Sequence, residues 1–245
     1  KHGMMESISM SKKTSKTQKS AGYNVYLNNH IEYLEIFDTL KKNEYFSVGS
    51  QICWYTIRKV PPVSATKLAV WDNNNKHISS IDLAEFYGRS FPMVPTAAAI
   101  NIHRQIVKHN TMPFTYNSRF HSQRLKAKKQ ISDIEMAQYP YKTYYSHKLV
   151  RYASCKSDEF DSLRVMVSIG STFSTAWMAK DVNTCEDVKW VEVKSEAEGI
   201  NLINYLNSNF VKYISKQYRH GKNQIEPLIV LPIIDFTRTW TDAEL

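Results

Sequence analysis

The stretch "VKWVEVKSEAEGINLINYLNSNFVKYISKQY", residues 188–218, changes its hydrophobic period once, at Ser195. Before that point "VKWVEVK" reads as a β-strand over 188–194. Beyond it Ile200, Ile203, Leu206, Phe210 and Ile214 recur at helical spacing. Ser195 and Glu198 make the capping box, in which hydroxyl and carboxylate each satisfy a backbone N–H at a helix start. The spacing predicts one helix over 195–218 whose stripe faces a core rather than a partner. A strand running straight into a long helix sets the fold class as α/β, in the mixed α+β sense.

The same pattern of periods extends toward the start of the chain. Residues 147–154 and 162–180 read as strands, the latter turned at Gly170-Ser171. Residues 95–109 read as a helix with Ile100, His103 or Arg104, and Val107 at helical spacing, capped by Thr96 after Pro95. With no H-E-x-x-H pattern, His103 and His109 are expected to be solvated helix residues rather than ligands. In "FSVGSQICWYTIRKV" (46–60), Ile52, Trp54, Thr56 and Arg58 alternate with Cys53, Tyr55 and Ile57. Apolar groups on both faces predict an interior strand, ended by Pro61-Pro62 because proline supplies no ladder N–H. Ile31, Leu34 and Ile36 mark a further strand. Residues 1–20 are Ser/Lys/Thr-rich without apolar period, a flexible basic loop or frayed start in which Met4, Met5 and Met10 are loop residues.

A chain of 245 residues suffices for one large domain or two small ones with a sizeable core. No stretch approaches the roughly 18–20 apolar residues of a membrane span, and the start lacks a signal peptide's apolar segment, so a cytoplasmic location is expected. Cys53, Cys155 and Cys185 are widely spaced and odd in number, which favours packing thiols over disulfides or a zinc site. Thirty-two Lys and Arg against 23 Asp and Glu leave a formal charge of +9, a balance that points to a polyanionic partner, usually nucleic acid. The cations crowd into 10–19, 118–129 and 216–223, whereas the acids cluster in 157–161, 181–198 and the final residues. One binding face would produce that asymmetry.

The closing segment "LPIIDFTRTWTDAEL", 231–245, ends an apolar run in an Asp-Phe pair. Thr241 and Glu244 then repeat the capping-box pattern, so a helix is expected to begin there. The succession "HIEYLEIFDTL", "FSVGSQICWYTIRK", "YPYK", "WVEVK", the helix from Ser195 and "PIIDFTRTWTDAEL" resembles the C-terminal half of bacterial adenine-specific DNA methyltransferases of restriction-modification systems. The resemblance covers residues 24–245, and its most specific part is Asp235-Phe236 with Trp240-Thr241-Asp242 and Glu244-Leu245. It implies C-terminal strands of a methyltransferase-like domain over 21–62 and a mixed target-recognition domain over 63–245. Both ends are then expected to be cuts, with the N-terminal catalytic half in the same or a separate chain. Such enzymes carry a Gly-rich loop for S-adenosylmethionine and an Asn/Asp-Pro-Pro-Tyr/Phe motif. This chain has neither: its only Pro-Pro is Val60-Pro61-Pro62-Val63. The full enzyme would use S-adenosylmethionine, but this chain alone is expected to bind no cofactor and to hold no catalytic residue.

An enzyme that modifies a stacked base must extrude it, so the recognition domain has to grip double-stranded DNA around the target. Phosphate contacts give affinity and register, and base-edge contacts give sequence information. On that reading Arg119, Arg124, Lys126, Lys128 and Lys129 belong to the DNA face, with Asn117 and Gln123 as base readers. Lys216, Arg219, Lys222 and Asn223 form a second candidate patch, although basic residues at a helix C-terminus are favoured by the dipole in any case. Tyr139, Tyr141, Tyr144 and Tyr145 could stack on a displaced base; core or rim packing is the favoured reading. Two alternatives stand beside this one. Asp181 or Asp187 with Glu192 and Lys194 has the D…E-x-K skeleton of a metal-dependent nuclease, which alternating polar residues on a half-exposed strand explain more simply. A complete, non-catalytic nucleic-acid-binding adaptor would also explain the charge.

Overall fold

The computed structural model describes residues 28–37, 52–62, 65–72, 75–86, 91–92, 94–115, 120–169, 176–218, 228, 230–241 and 243–245. The segment 1–20 and the turn at Gly170-Ser171 lie outside them. The fold is mixed α/β. It divides into two compact units, one of residues 1–108 with 217–221 and one of residues 109–216 with 222–245.

In the first unit β1 (His30–Phe37) is flanked by antiparallel β2 (Ile52–Arg58) and parallel β3 (Thr66–Asp72), and β4 (Asn75–Ile81) completes the order β2-β1-β3-β4. Residue 63, where the target-recognition domain is expected to begin, falls between two strands of this sheet. Glu32 is the extra residue of a bulge, since the pairing steps from Ile31 opposite Ile57 to Tyr33 opposite Thr56. The bulge brings Ile31 to the side of Leu34 and Ile36, where all three join one core with Leu68, Val70, Ile81, Phe86 and Ile100. The other face is aromatic and polar. Phe37 lies 5.3 Å from Trp54 and 6.3 Å from Trp71, while Glu35 accepts from Trp71 Nε1 at 2.7 Å and from the Tyr33 hydroxyl at 2.9 Å.

The expected interior strand at 52–58 is an edge strand: among the described residues β2 pairs only with β1. Its apolar groups on two faces have two separate uses. Cys53 joins the core and Trp54 packs on Phe37, leaving Thr56 and Arg58 exposed. The helix α1 (Ala97–Ile106) starts where the sequence predicts, with Thr96 Oγ1 accepting from the Ala99 amide at 3.2 Å. His109 is exposed, but the expectation of a solvated His103 is overturned. His103 lies on the buried stripe of Ala99, Ile100 and Ile106, is 1% exposed, and sets its Nδ1 2.6 Å from the Tyr218 hydroxyl. That distant partner, in the 217–221 segment of the same unit, gives the buried Nδ1 a hydrogen bond.

Among the described residues the second unit holds two sheets. β5 (Ile131–Ser132), β6 (Tyr141–Tyr144), β7 (Val150–Ala153) and β10 (Asn183–Thr184) run in the order β10-β6-β7-β5. β8 (Arg164–Ser168), β9 (Trp177–Ala179) and β11 (Val188–Glu192) run as β11-β8-β9. β8 is buried along its whole length, Arg164 included, whose guanidinium donates to the Val182 carbonyl and lies 3.8 Å from Glu159.

The single helix expected over 195–218 is two, α3 (Glu196–Asn207) and α4 (Asn209–Tyr218). Ser208 takes an extended ψ of 160°, and its hydroxyl accepts from the Val211 amide at 3.2 Å, so it ends one helix and caps the next. Three successive residues that favour caps over helix interiors, Asn207-Ser208-Asn209, supply the local reason. The break also shifts the buried stripe. Leu202, Tyr205, Leu206, Val211 and Ile214 face the core, whereas Ile200 is 52% exposed and Ile203 and Phe210 only half-buried. At Gly199 a Cβ would overlap Met178 Sδ of β9, so α3 approaches the sheet closely at this residue. Among the described residues no helix is long and apolar enough to cross a membrane.

Candidate nucleic-acid interface

The basic stretch after Phe120 folds as α2 (Ser122–Ala127). Leu125 is its one buried residue and packs with Phe120 and Ala153. At 100° per residue, Gln123 and Ala127 then point directly outward, with Lys126 on one flank and Arg124 and Lys128 on the other. All five are exposed. The helix ends in a Schellman turn: the Gln130 amide donates to Leu125 O at 2.8 Å and the Lys129 amide to Lys126 O at 3.0 Å. Lys129 occupies the left-handed position of that turn, at φ 54°, where glycine is the usual residue. The Tyr139 hydroxyl fixes it further by donating to Lys129 O at 2.9 Å.

The start of α2 is held by Glu186, which no local pattern announces because it lies 64 positions away. Its Oε2 accepts from the Ser122 amide at 2.9 Å and its Oε1 from the Ser122 hydroxyl at 2.5 Å. Burial pushes the Glu186 carboxyl up, but the bonds from the Ser122 hydroxyl and amide outweigh it and leave it below its ordinary value. His121 Nδ1, 3.5 Å from Glu186, accepts from the Gln123 amide at 3.3 Å. With the Ser122 and Gln123 amides already bonded, α2 offers an anion chiefly its side chains.

The structure therefore brings Gln123, Arg124, Lys126, Lys128 and Lys129 together on one short element. Asn117 and Arg119 lie outside the described residues, as do Arg219, Lys222 and Asn223 of the second patch; Lys216 is exposed in the last turn of α4. The four tyrosines have structural partners. Tyr139 holds Lys129, Tyr141 meets Phe160 edge-on at 5.5 Å, Tyr144 lies 5.3 Å from Trp177, and Tyr145 is buried against Arg151 with its hydroxyl pushed up to about 12 by burial. Cys53 and Cys185 are buried thiols, and burial pushes Cys185 up to about 12.

Asp181, Asp187, Glu192 and Lys194 are all exposed, and among the described residues no three His, Cys, Asp or Glu side chains are grouped to hold a metal ion.

The closing motif is ordered against α3. The Phe236 ring packs 5.6 Å from Tyr205 while its carbonyl accepts from Asn201 Nδ2 at 3.0 Å. Asp235 Oδ1 accepts from both the amide and the hydroxyl of Thr237, and its carbonyl from Trp240 Nε1 at 2.5 Å. The Arg238 guanidinium covers the Trp240 ring at 3.5 Å and donates to Glu244 at 2.7 Å. At Thr241 the reciprocal half of the expected capping box is present, with Glu244 Oε2 accepting from the Thr241 amide at 2.9 Å, and the residues around it form a turn. No protein-family model matches this chain, and comparison with curated proteins finds no match.

Proposed function

We propose that this chain is the DNA-binding, target-recognition part of an S-adenosylmethionine-dependent, adenine-specific DNA methyltransferase of a restriction-modification system, with the catalytic motifs supplied from outside it. The reading joins the resemblance of the closing motif to one geometric observation. On α2 an outward Gln123 is bordered on both sides by exposed cations. A major groove admits one helix, with base edges at its floor and phosphates along both rims. Glutamine at the centre can bond an adenine edge bidentately, while Arg124, Lys126, Lys128 and Lys129 reach phosphates. Lysine in a turn position that glycine would occupy more cheaply fits a residue kept for its charge.

The test is fluorescence anisotropy of the whole chain on duplex DNA at several salt concentrations. Changing Arg124, Lys126, Lys128 and Lys129 to Gln should reduce the slope of log affinity against log salt by about 0.9 per lost contact, three to four units together. Gln123→Ala should leave the slope alone and relax base preference. An unchanged slope in the fourfold variant returns these residues to a solvated face. The purified chain should neither bind S-adenosylmethionine in calorimetry nor methylate DNA, and turnover by it would reject the assignment of catalysis to another segment.

A further inference from the structure

The loop that follows α2 exposes apolar side chains on a braced backbone. Ile134 is 70% and Met136 40% exposed, and Glu135 between them is exposed as well. Four contacts brace the segment. Ser132 Oγ accepts from the Ile134 amide at 3.1 Å, Asp133 meets Arg151 Nε at 2.6 Å, the Tyr139 amide donates to Met136 O at 2.8 Å, and the Tyr139 hydroxyl returns the loop to Lys129 O. A mobile loop could fold such side chains away; this one presents them. An isoleucine this exposed buries little apolar area on folding, so its side chain adds little to stability and stays open to a partner. Its surroundings suggest the occupant, since the loop begins four residues after Lys129, at the C-terminal end of the basic helix.

We propose that residues 133–136 form a base-contacting tip that enters duplex DNA beside α2. Ile134 and Met136 pack against base or thymine-methyl surface, and Glu135 accepts from an exocyclic amino group of cytosine or adenine. The proposal rests on the DNA-binding reading above and adds a second reading element to it. The glutamate decides between two anionic partners. In an anionic lipid surface a carboxylate between two inserting apolar side chains is drawn toward hydrocarbon against a net negative headgroup layer. In a groove it meets a donor, as carboxylates do at cytosine N4.

The experiment measures the whole chain, as parent, as Ile134→Ser/Met136→Ser and as Glu135→Ala, on a labelled mixed-sequence duplex across a salt series. Each is also measured on vesicles of phosphatidylcholine and phosphatidylserine. The double variant should bind the duplex about tenfold more weakly at every salt concentration with the slope unchanged, because apolar burial releases no counterions. Glu135→Ala should flatten the sequence preference recovered from a randomised duplex pool while raising affinity for arbitrary DNA. Because the side chains are exposed, melting temperatures should match the parent; Ile134→Ser alone serves if the pair lowers them. A double variant that binds DNA as the parent does overturns the tip and leaves the α2 reading standing. A parent that binds no DNA overturns both, and one that binds vesicles through Ile134 and Met136 instead assigns the loop to membranes.

Discussion

Ser122 gives both its amide and its hydroxyl to the two oxygens of Glu186, so one carboxylate from the turn before β11 fixes the start of α2. The contact ties the basic helix to a sheet strand rather than leaving it as an independent loop. Removing the acceptor leaves two donors unpaired, and Glu186→Ala should lower stability by about 1–3 kcal/mol at pH 7 in urea unfolding. The carboxyl is held below its ordinary value, so its contribution is complete above the unfolded value of roughly 4.3 and disappears as pH falls through the lower folded value. Parent and variant midpoints should therefore converge in strong acid.

Lys129 sets stability against charge. Its φ of 54° belongs to the region in which a Cβ is penalised, so Lys129→Gly should stabilise the protein by about 1 kcal/mol. The same change removes a cation and should lower the salt slope of DNA binding by about 0.9. Urea midpoint and anisotropy moving in opposite senses is the expected result.

Ser208 gives a test of sign. As the cap of α4, its replacement by Ala should cost about 1 kcal/mol. Within an uninterrupted helix the same change would gain a few tenths, on the order of 0.5 kcal/mol, since alanine is the better helix former. Urea unfolding of Ser208→Ala distinguishes the two.

Glu244 is held down to about 2 by the Thr241 amide first, then by Arg238 and the Thr241 hydroxyl. Its turn should persist as pH falls below the ordinary carboxylate range of roughly 4.3 and be lost only near the depressed value. Carboxyl NMR titration of Glu244 reads this directly. Arg238→Ala should move the titration upward while leaving most of the depression, because the Thr241 bonds remain.

Elements governed by short-range chemistry were legible in the residues themselves. Thr96 and Ser195 cap the helices that their spacing announces, Pro61-Pro62 follows the end of β2, and 188–192 is a strand. Local periodicity could not say which neighbours a strand acquires, so an apolar segment on two faces became the edge strand β2. Nor could it anticipate that Asn207-Ser208-Asn209 would prefer a cap to an unbroken helix, or that Met178 would lie against Gly199. His103 acquired its buried place from Tyr218, 115 positions away, and α2 its anchor from Glu186, 64 away. Charge density alone marks 118–129 as basic; placing Gln123 outward between cations required Leu125 to find its pocket against Phe120 and Ala153. Capping and turn formation depend on residues a few positions apart and are written in the local sequence. Burial and anchoring depend on partners that only the closed chain brings within hydrogen-bonding distance.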